Sequence, residues 1–471
     1  MKIISLSLVA ASALALVACS QADNAQPTID YASLVVDAPF AMPKVSAPQF
    51  PSRTISIVDN GACPDGQTLC TEAIQKTIDD ICAAGGGTVL LPQGVWFTGP
   101  IALRSNVNLH LEAGAVLLFS PDISLYPSIQ TVYEGGSMEK KQSPISGFNL
   151  TNVAITGRGI IDGNGQAWRP LKRAKVTDSQ WKRMTKGGEF PREDMWYPSE
   201  ERVYRRPVLV HLENCKGLLL QGVTFQNSPA WNVHPMLCED IIIDGITARN
   251  PSYAQNGDAL DLESCRRVLV LNSVFDAGDD CICLKSGRDE EGRRRGVPTE
   301  DVYVRGCTVF SGHGGFVVGS EMSGGVRNVC VADCQFIGTD AGLRFKSCRG
   351  RGGVVENIYV DGVSMAAIGG DAVTFDMHYG AKSVIEEING VRVNKTVPEV
   401  ADETTPIFRN IDIRNVSCRG ARRALYFNGL PEMPIKDIRL SDINILADQE
   451  GDFFFCENVS KERVNVVVAD K

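Results

Sequence analysis

One motif of apolar and polar positions recurs along most of the chain: apolar-x-apolar-x-x-apolar. It occurs at Leu218/Leu220/Val223, Ile241/Ile243/Ile246, Leu269/Leu271/Val274, Val302/Val304/Cys307 and Val329/Val331/Cys334. It continues at Ile358/Val360/Val363, Ile411/Ile413/Val416 and Ile438/Leu440/Ile443, with most copies 23–33 residues apart. That spacing is the period of a solenoid. Each copy alternates between two faces, as a strand does, then turns, and leaves no room for a crossover helix. Between these runs Asn-Gly pairs occur at 256–257, 389–390 and 428–429, but none joins two successive runs directly as a two-residue hairpin turn, which argues against a sandwich or propeller. The expectation is an all-β chain wound as a right-handed parallel β-helix, each coil stacked on the next at about 4.8 Å.

Upstream, the period changes. Ala73, Ile74, Ile78 and Ile81 fall at helical spacing, with Thr71 as N-cap and Gly85-Gly86-Gly87 as the stop. The segment Thr71 to Cys82 is read as the one helix, a short cap over the N-terminal end of the solenoid, where an open sheet edge needs cover. Strand-like runs follow at Thr88–Leu91, Val95–Thr98, Val107–Leu111 and Val116–Phe119.

The phase of the repeat carries the chemistry. Six residues beyond the third apolar position of a copy, Val274 leads to Asp280, Cys307 to His313, and Cys334 to Asp340, just before Arg344 and Lys346. The preceding coil carries Asn256-Gly257-Asp258. Equivalent positions in stacked coils lie above one another, so Asp258, the doublet Asp279-Asp280, His313, Arg344 and Lys346 are expected in one row. An acidic doublet is by itself more often a solvated turn. Here it opens a short apolar strand, and Gly278 lets both carboxylates face the same way. Crowded carboxylates suit glycoside hydrolysis, which needs one protonated acid and one ionised carboxylate. Arg344 and Lys346 share a strand face and could grip a sugar carboxylate.

Composition narrows the class. The chain has 471 residues, 44% of them hydrophobic, and a formal net charge of −9, which excludes a nucleic-acid-binding surface. Lys2 and the apolar run to Ala18 read as an export signal, and Leu16-Val17-Ala18-Cys19 resembles a bacterial lipobox. Residues 1–18 are the expected signal, Cys19 the lipidation site, 19–51 a flexible tether rich in Pro, Ala and Ser, and 52–471 the catalytic body. The membrane is then touched only through the lipid, on the periplasmic or surface face of a Gram-negative outer membrane. Of the fourteen other cysteines among fifteen, Cys307 and Cys334 occupy core positions of the repeat. Cys63 and Cys70 are close enough in sequence to bridge. No CxxC pair with zinc spacing appears, and Cys330 and Cys334 have no second pair, so no structural metal is expected.

Asn256-Gly257-Asp258, Gly278-Asp279-Asp280, Gly312-His313-Gly314 and Arg344-Phe345-Lys346 together resemble the polygalacturonase (pectinase) family of glycoside hydrolases, family twenty-eight, in type and order. The resemblance spans residues 55 to 450; Gly257 stands where the family usually has Thr. It implies Asp279 as general acid, Asp258 and Asp280 as the pair that activates water with inversion, and His313 as support. Arg344, Lys346 and Asn256 would bind substrate, with Tyr426 as the family's late aromatic. The expected partner is an acidic polysaccharide, pectin or galacturonan, or its oligosaccharides, acted on by a monomer without cofactor. Asn227 to Pro235 and Lys285 to Arg288, with Arg293 to Arg295, resemble bacterial exo-acting members; Trp231 either stacks on a sugar or packs under a loop. A pectate-lyase-like elimination and a non-catalytic β-helix that binds carbohydrate are the alternatives. The repeat is broken at about 165–207 by a stretch rich in Arg, Lys and aromatics, expected to close one end of the cleft.

Overall fold

The computed structural model describes residues 30–381 and 383–469. The signal segment and Cys19 lie outside the described residues. The body is a right-handed parallel β-helix with three faces. The first stacks Thr54–Ser56, Gly87–Leu91, Val107–Leu111, Thr151–Gly157, Lys216–Gln221, Glu239–Asp244, Arg266–Leu271 and Thr299–Arg305. The second includes Thr224–Gln226, Thr247–Arg249, Val274–Asp276 and Thr308–Phe310. The third runs through Val210–Glu213, Val233–Met236, Leu260–Glu263, Asp280–Lys285, Gly314–Val318 and Leu343–Lys346. Toward the C-terminus the corners straighten, and one strand, Val354–Asp376, passes along all three faces.

Alternation along each strand sends one set of side chains inward. Leu218, Ile241, Val268, Val302, Val329, Ile358, Ile411 and Ile438 lie in mutual register. All are buried in one continuous core. On the third face, Phe345, Phe375 and Phe427 stack at 4.2 and 4.7 Å between ring centroids. Cys307 and Cys334 are buried free thiols, and Cys63 and Cys70 are also free.

The repeat as read from sequence is out of phase in one copy. Val268/Val270, not Leu269/Leu271, pair with Ile241/Ile243, and Ser273 takes the third position. A one-residue slip turns a strand's side chains to the opposite face. Leu269 and Leu271 therefore point outward, where they are nonetheless buried, because Tyr31, Val45 and their neighbours pack over them. This also corrects the tether: residues 30–50 lie along the first face rather than hanging free. Phe40 stacks on Tyr359, and the Tyr31 hydroxyl donates to Asp244 at 2.7 Å.

The capping helix spans Thr71–Ala83 and buries Ile74, Ile78 and Ile81 on the first coil. Its N-cap is Cys70, not Thr71; the Thr71 hydroxyl accepts from the Gly99 amide at 2.6 Å instead. Nor is it the one helix. Asp178–Met184, Glu200–Arg205 and Asp289–Arg295 are short helices in excursions from the coil. The break at 165–207 folds into an antiparallel sheet of Leu171–Lys172, Met195–Tyr197 and Glu189–Arg192. A further excursion, the hairpin Ser128–Tyr133/Gly136–Lys141, rises beside it.

Candidate active site

The corners between the second and third faces deliver the acidic residues. Asp258 ends one corner two residues before Leu260, and Asp279 and Asp280 end the next two residues before Ile282; Leu260 and Ile282 are in register. His313 occupies the same corner one coil on, its amide donating to the Asp279 carbonyl at 2.8 Å. The corners are tight. A Cβ on Gly278 would come within 2.5 Å of the Ala254 carbonyl oxygen, and one on Gly257 within 2.6 Å of the Ala254 Cβ. Close approach of Ala254, rather than a positive φ, keeps these positions glycine. It also accounts for Gly257 in this chain.

The three carboxylates converge, with one oxygen of each within 4.8 Å of the others. Their surroundings differ. Asp280 is buried and bound by Lys346 Nζ at 2.6 Å and Arg344 Nη1 at 3.2 Å. Burial works to raise its pKa, but Lys346, Arg344 and Lys285 together hold it well below the usual carboxylate range. Asp258 is equally buried, and its Oδ1 has no hydrogen-bond partner. Desolvation, reinforced by Asp261, Asp279 and Asp280 against Lys285, pushes its pKa well up. Asp279 is the most accessible of the three, 17% exposed, with Oδ1 at 2.9 Å from His313 Nδ1. Lys175 Nζ stands 3.1 Å from His313 Nε2. An ammonium can only donate, so Nε2 accepts and Nδ1 carries the proton given to Asp279.

The row expected from the repeat thus forms, with a shift. The positions aligned across coils are Asp279 and His313, while Arg344 and Lys346 arrive from further along the third face. Their heads turn back onto Asp280. Arg344 also lies over Tyr379, 5.8 Å from the ring centroid, and Lys346 at 5.0 Å. Tyr426 lines the same hollow of about 430 Å³, which runs from His313 to Arg423. Asn256 accepts from Arg206 at 2.7 Å and donates to Glu134 at 3.3 Å. Trp231 is a correction. It is 2% exposed, tilted against Tyr133 at 4.5 Å and edge-on to His234, with Lys285 Nζ 4.7 Å from its ring. It packs under the hairpin and offers no surface to a sugar.

Sequence reading had Lys175 only as one of the insertion's cations and passed over Tyr379, Asp261 and Glu134. Asp261 is fully buried beside Lys285, at 3.4 Å, and burial raises its pKa to about 8. The triple carboxylate cluster is the group among the described residues that could hold a cation. Both oxygens of Asp280 are already taken by cationic side chains, so the local charge is largely compensated within the chain.

Residues 196–465 match the family model "Glycosyl hydrolases family 28". The chain belongs to that family. It is 32% identical over 411 residues to a probable polygalacturonase of Vitis vinifera, covering 84% of this chain and 74% of that one. It is 29% identical over 353 residues to an exo-poly-alpha-D-galacturonosidase of Dickeya chrysanthemi, spanning 69% of this chain and 57% of the Dickeya enzyme. The crystal structure of a hyperthermoactive exopolygalacturonase from Thermotoga maritima superposes with a TM-score of 0.76 at 32% identity, over 90% of this chain and 93% of that one. The family 28 chain is accordingly a glycoside hydrolase, with its carboxylates at the corners just described.

Proposed function

We propose that this family 28 enzyme hydrolyses α-1,4-galacturonosyl linkages of polygalacturonate or its oligosaccharides, removing residues from a chain end with inversion. The observation that carries the reading is three converging carboxylates in unlike surroundings beside a cationic hollow. Asp280, held ionised by Lys346 and Arg344, serves as base toward a water shared with Asp258. Asp279 alone of the three reaches into the cleft, and only a group touching the leaving oxygen can protonate it. His313, fixed by Lys175, orients Asp279. Arg344, partly exposed and lying over Tyr379, is free to turn toward a uronate carboxylate.

Chain-end action is supported by what closes the cleft on the N-terminal side. Lys175 of the insertion bonds the Gly278 carbonyl at 3.2 Å, Arg206 bonds Asn256, and the hairpin tip at Gly135 lies on Arg288. Between them is a hollow of about 420 Å³ lined by Tyr133, Lys140, Lys172, Tyr197 and Arg206. It is suited to one terminal acidic sugar. The names of the Dickeya and Thermotoga relatives point the same way.

De-esterified polygalacturonate tests the reaction class. Reducing sugar should appear without ultraviolet absorbance; an absorbing, unsaturated product would mean elimination instead. Proton NMR of the first product should show the β-anomer. We further infer export and lipid attachment at Cys19 from the lipobox-like run, with the enzyme acting as a monomer. Cys19→Ala should then move the protein from the membrane to the soluble fraction.

A further inference from the structure

The insertion at 165–207 has two sides, and only one faces the cleft. In its small sheet Lys172 pairs with Met195 and both line the hollow beside the active site, whereas Leu171 pairs with Trp196 and both face away. Behind Leu171 and Trp196 is a cavity of about 690 Å³, floored by the second face of the β-helix. None of Asp258, Asp279, Asp280 or His313 lines it.

Its charge is unusual for this acidic chain. Arg169, Arg183 and Arg249 line it, and none makes an ion pair with any described residue. Arg169 is the telling one. It is 3% exposed, its Nη groups bind the Ser228 carbonyl and the Asn227 side chain, and its Nε has no partner. A buried guanidinium with no carboxylate in ion-pair contact is costly, and Asp162 acts on Arg169 only at longer range. Arg249 spends its donors on the neutral Gln226 side chain. Tyr253 and Trp196 add aromatic surface, and Asp162 and Asp276 add acceptors for hydroxyl groups.

We propose that this cavity is a second, non-catalytic site for a uronate-bearing oligosaccharide, with Arg183 and Arg249 taking its carboxylates and buried Arg169 adding positive potential behind them. The choice of ligand rests on the proposed substrate class; the site itself does not. Mixed cations, acceptors and aromatic faces fit an acidic sugar better than a bare anion, which has no hydroxyls for the carboxylates to accept from. Because the same small sheet walls both hollows, a chain held here is tethered next to the cleft without entering it.

The test is calorimetric titration of the Asp279→Asn enzyme with trigalacturonate. Two binding events are expected. Adding Arg183→Ala and Arg249→Ala should abolish one of them and leave the other. In the otherwise wild-type enzyme the same pair should leave kcat/KM on digalacturonate within about twofold. Arg183→Glu alone, on an exposed helix, repeats the test where folding is not in question. Fully methyl-esterified trimer should miss the second site. A single event that these changes do not touch overturns the proposal, as do two events that both survive them. Inorganic phosphate binding in the cavity without trigalacturonate would overturn the saccharide assignment. A wild-type enzyme that bound twice but hydrolysed nothing would refute the proposed reaction and leave this site standing.

Discussion

At the scale of the residue, chemistry is set by which carboxylate holds a proton. Asp279→Asn keeps the shape and cannot give a proton, so turnover should fall by about 10²–10⁴-fold with binding nearly intact; near wild-type rates would remove Asp279 as the acid. Asp258→Asn asks a different question, since burial already favours its neutral form. If its ionised form must hold water, the asparagine variant should lose activity as severely. Lys346 and Arg344 should separate. Lys346, buried on Asp280, holds that carboxylate ionised, so Lys346→Met should shift the acid limb of the pH–rate profile upward. Arg344→Ala should cost more on galacturonate than on its methyl ester. Equal losses on the two substrates would confine Arg344 to holding Asp280. Asp261 affects stability in the opposite sense. Its pKa rises from about 3.9 in an unfolded chain to about 8 in the fold. Its contribution is therefore complete below the unfolded value and is lost as pH rises toward 8. Asp280, depressed, contributes above its unfolded value and loses that as pH falls. Asp261→Asn should flatten the loss of Tm between pH 5 and 8 relative to wild type; an unchanged slope would contradict the assignment.

At the scale of the element, the coil and its excursions obey different rules. The coil was legible because stacked strands force period-two alternation and in-register repetition, and the corner motifs inherit that phase. It failed only at Arg266–Leu271, where residues 30–50 bury the outward Leu269 and Leu271 and so make both faces of the strand apolar. The excursions follow no repeat, so the hairpin at 128–141 and the helix at 289–295 left no periodic trace. Their partners depend on where each loop returns. Trp231 could not be placed without knowing that Tyr133 lies on it, nor Lys175 without knowing that it reaches His313. Arg344 and Lys346 were found by motif, but their hold on Asp280 depends on the offset between coils. Replacing residues 170–204 by a short linker should weaken chain-end selectivity before it weakens folding, because the coil's core does not include the insertion. Phe375→Ala, in the middle of the phenylalanine stack, should do the reverse. It should cost about 3–5 kcal/mol of stability, read by denaturant unfolding, with selectivity unchanged.

At the scale of the whole molecule, the proposed chain-end action requires the cleft to be closed on one side of the carboxylates. A helix caps the first coil, two excursions wall the N-terminal side of the carboxylates, and the cationic hollow toward Arg423 stays open. The proposal at this scale is that a polymer enters only by its end. The direct measurement follows viscosity and reducing-sugar release together on de-esterified polygalacturonate, with the first products sized. Monogalacturonate is expected from the earliest time points, with viscosity that falls only in proportion to bonds broken. A steep early loss of viscosity with a ladder of longer oligomers would contradict chain-end action.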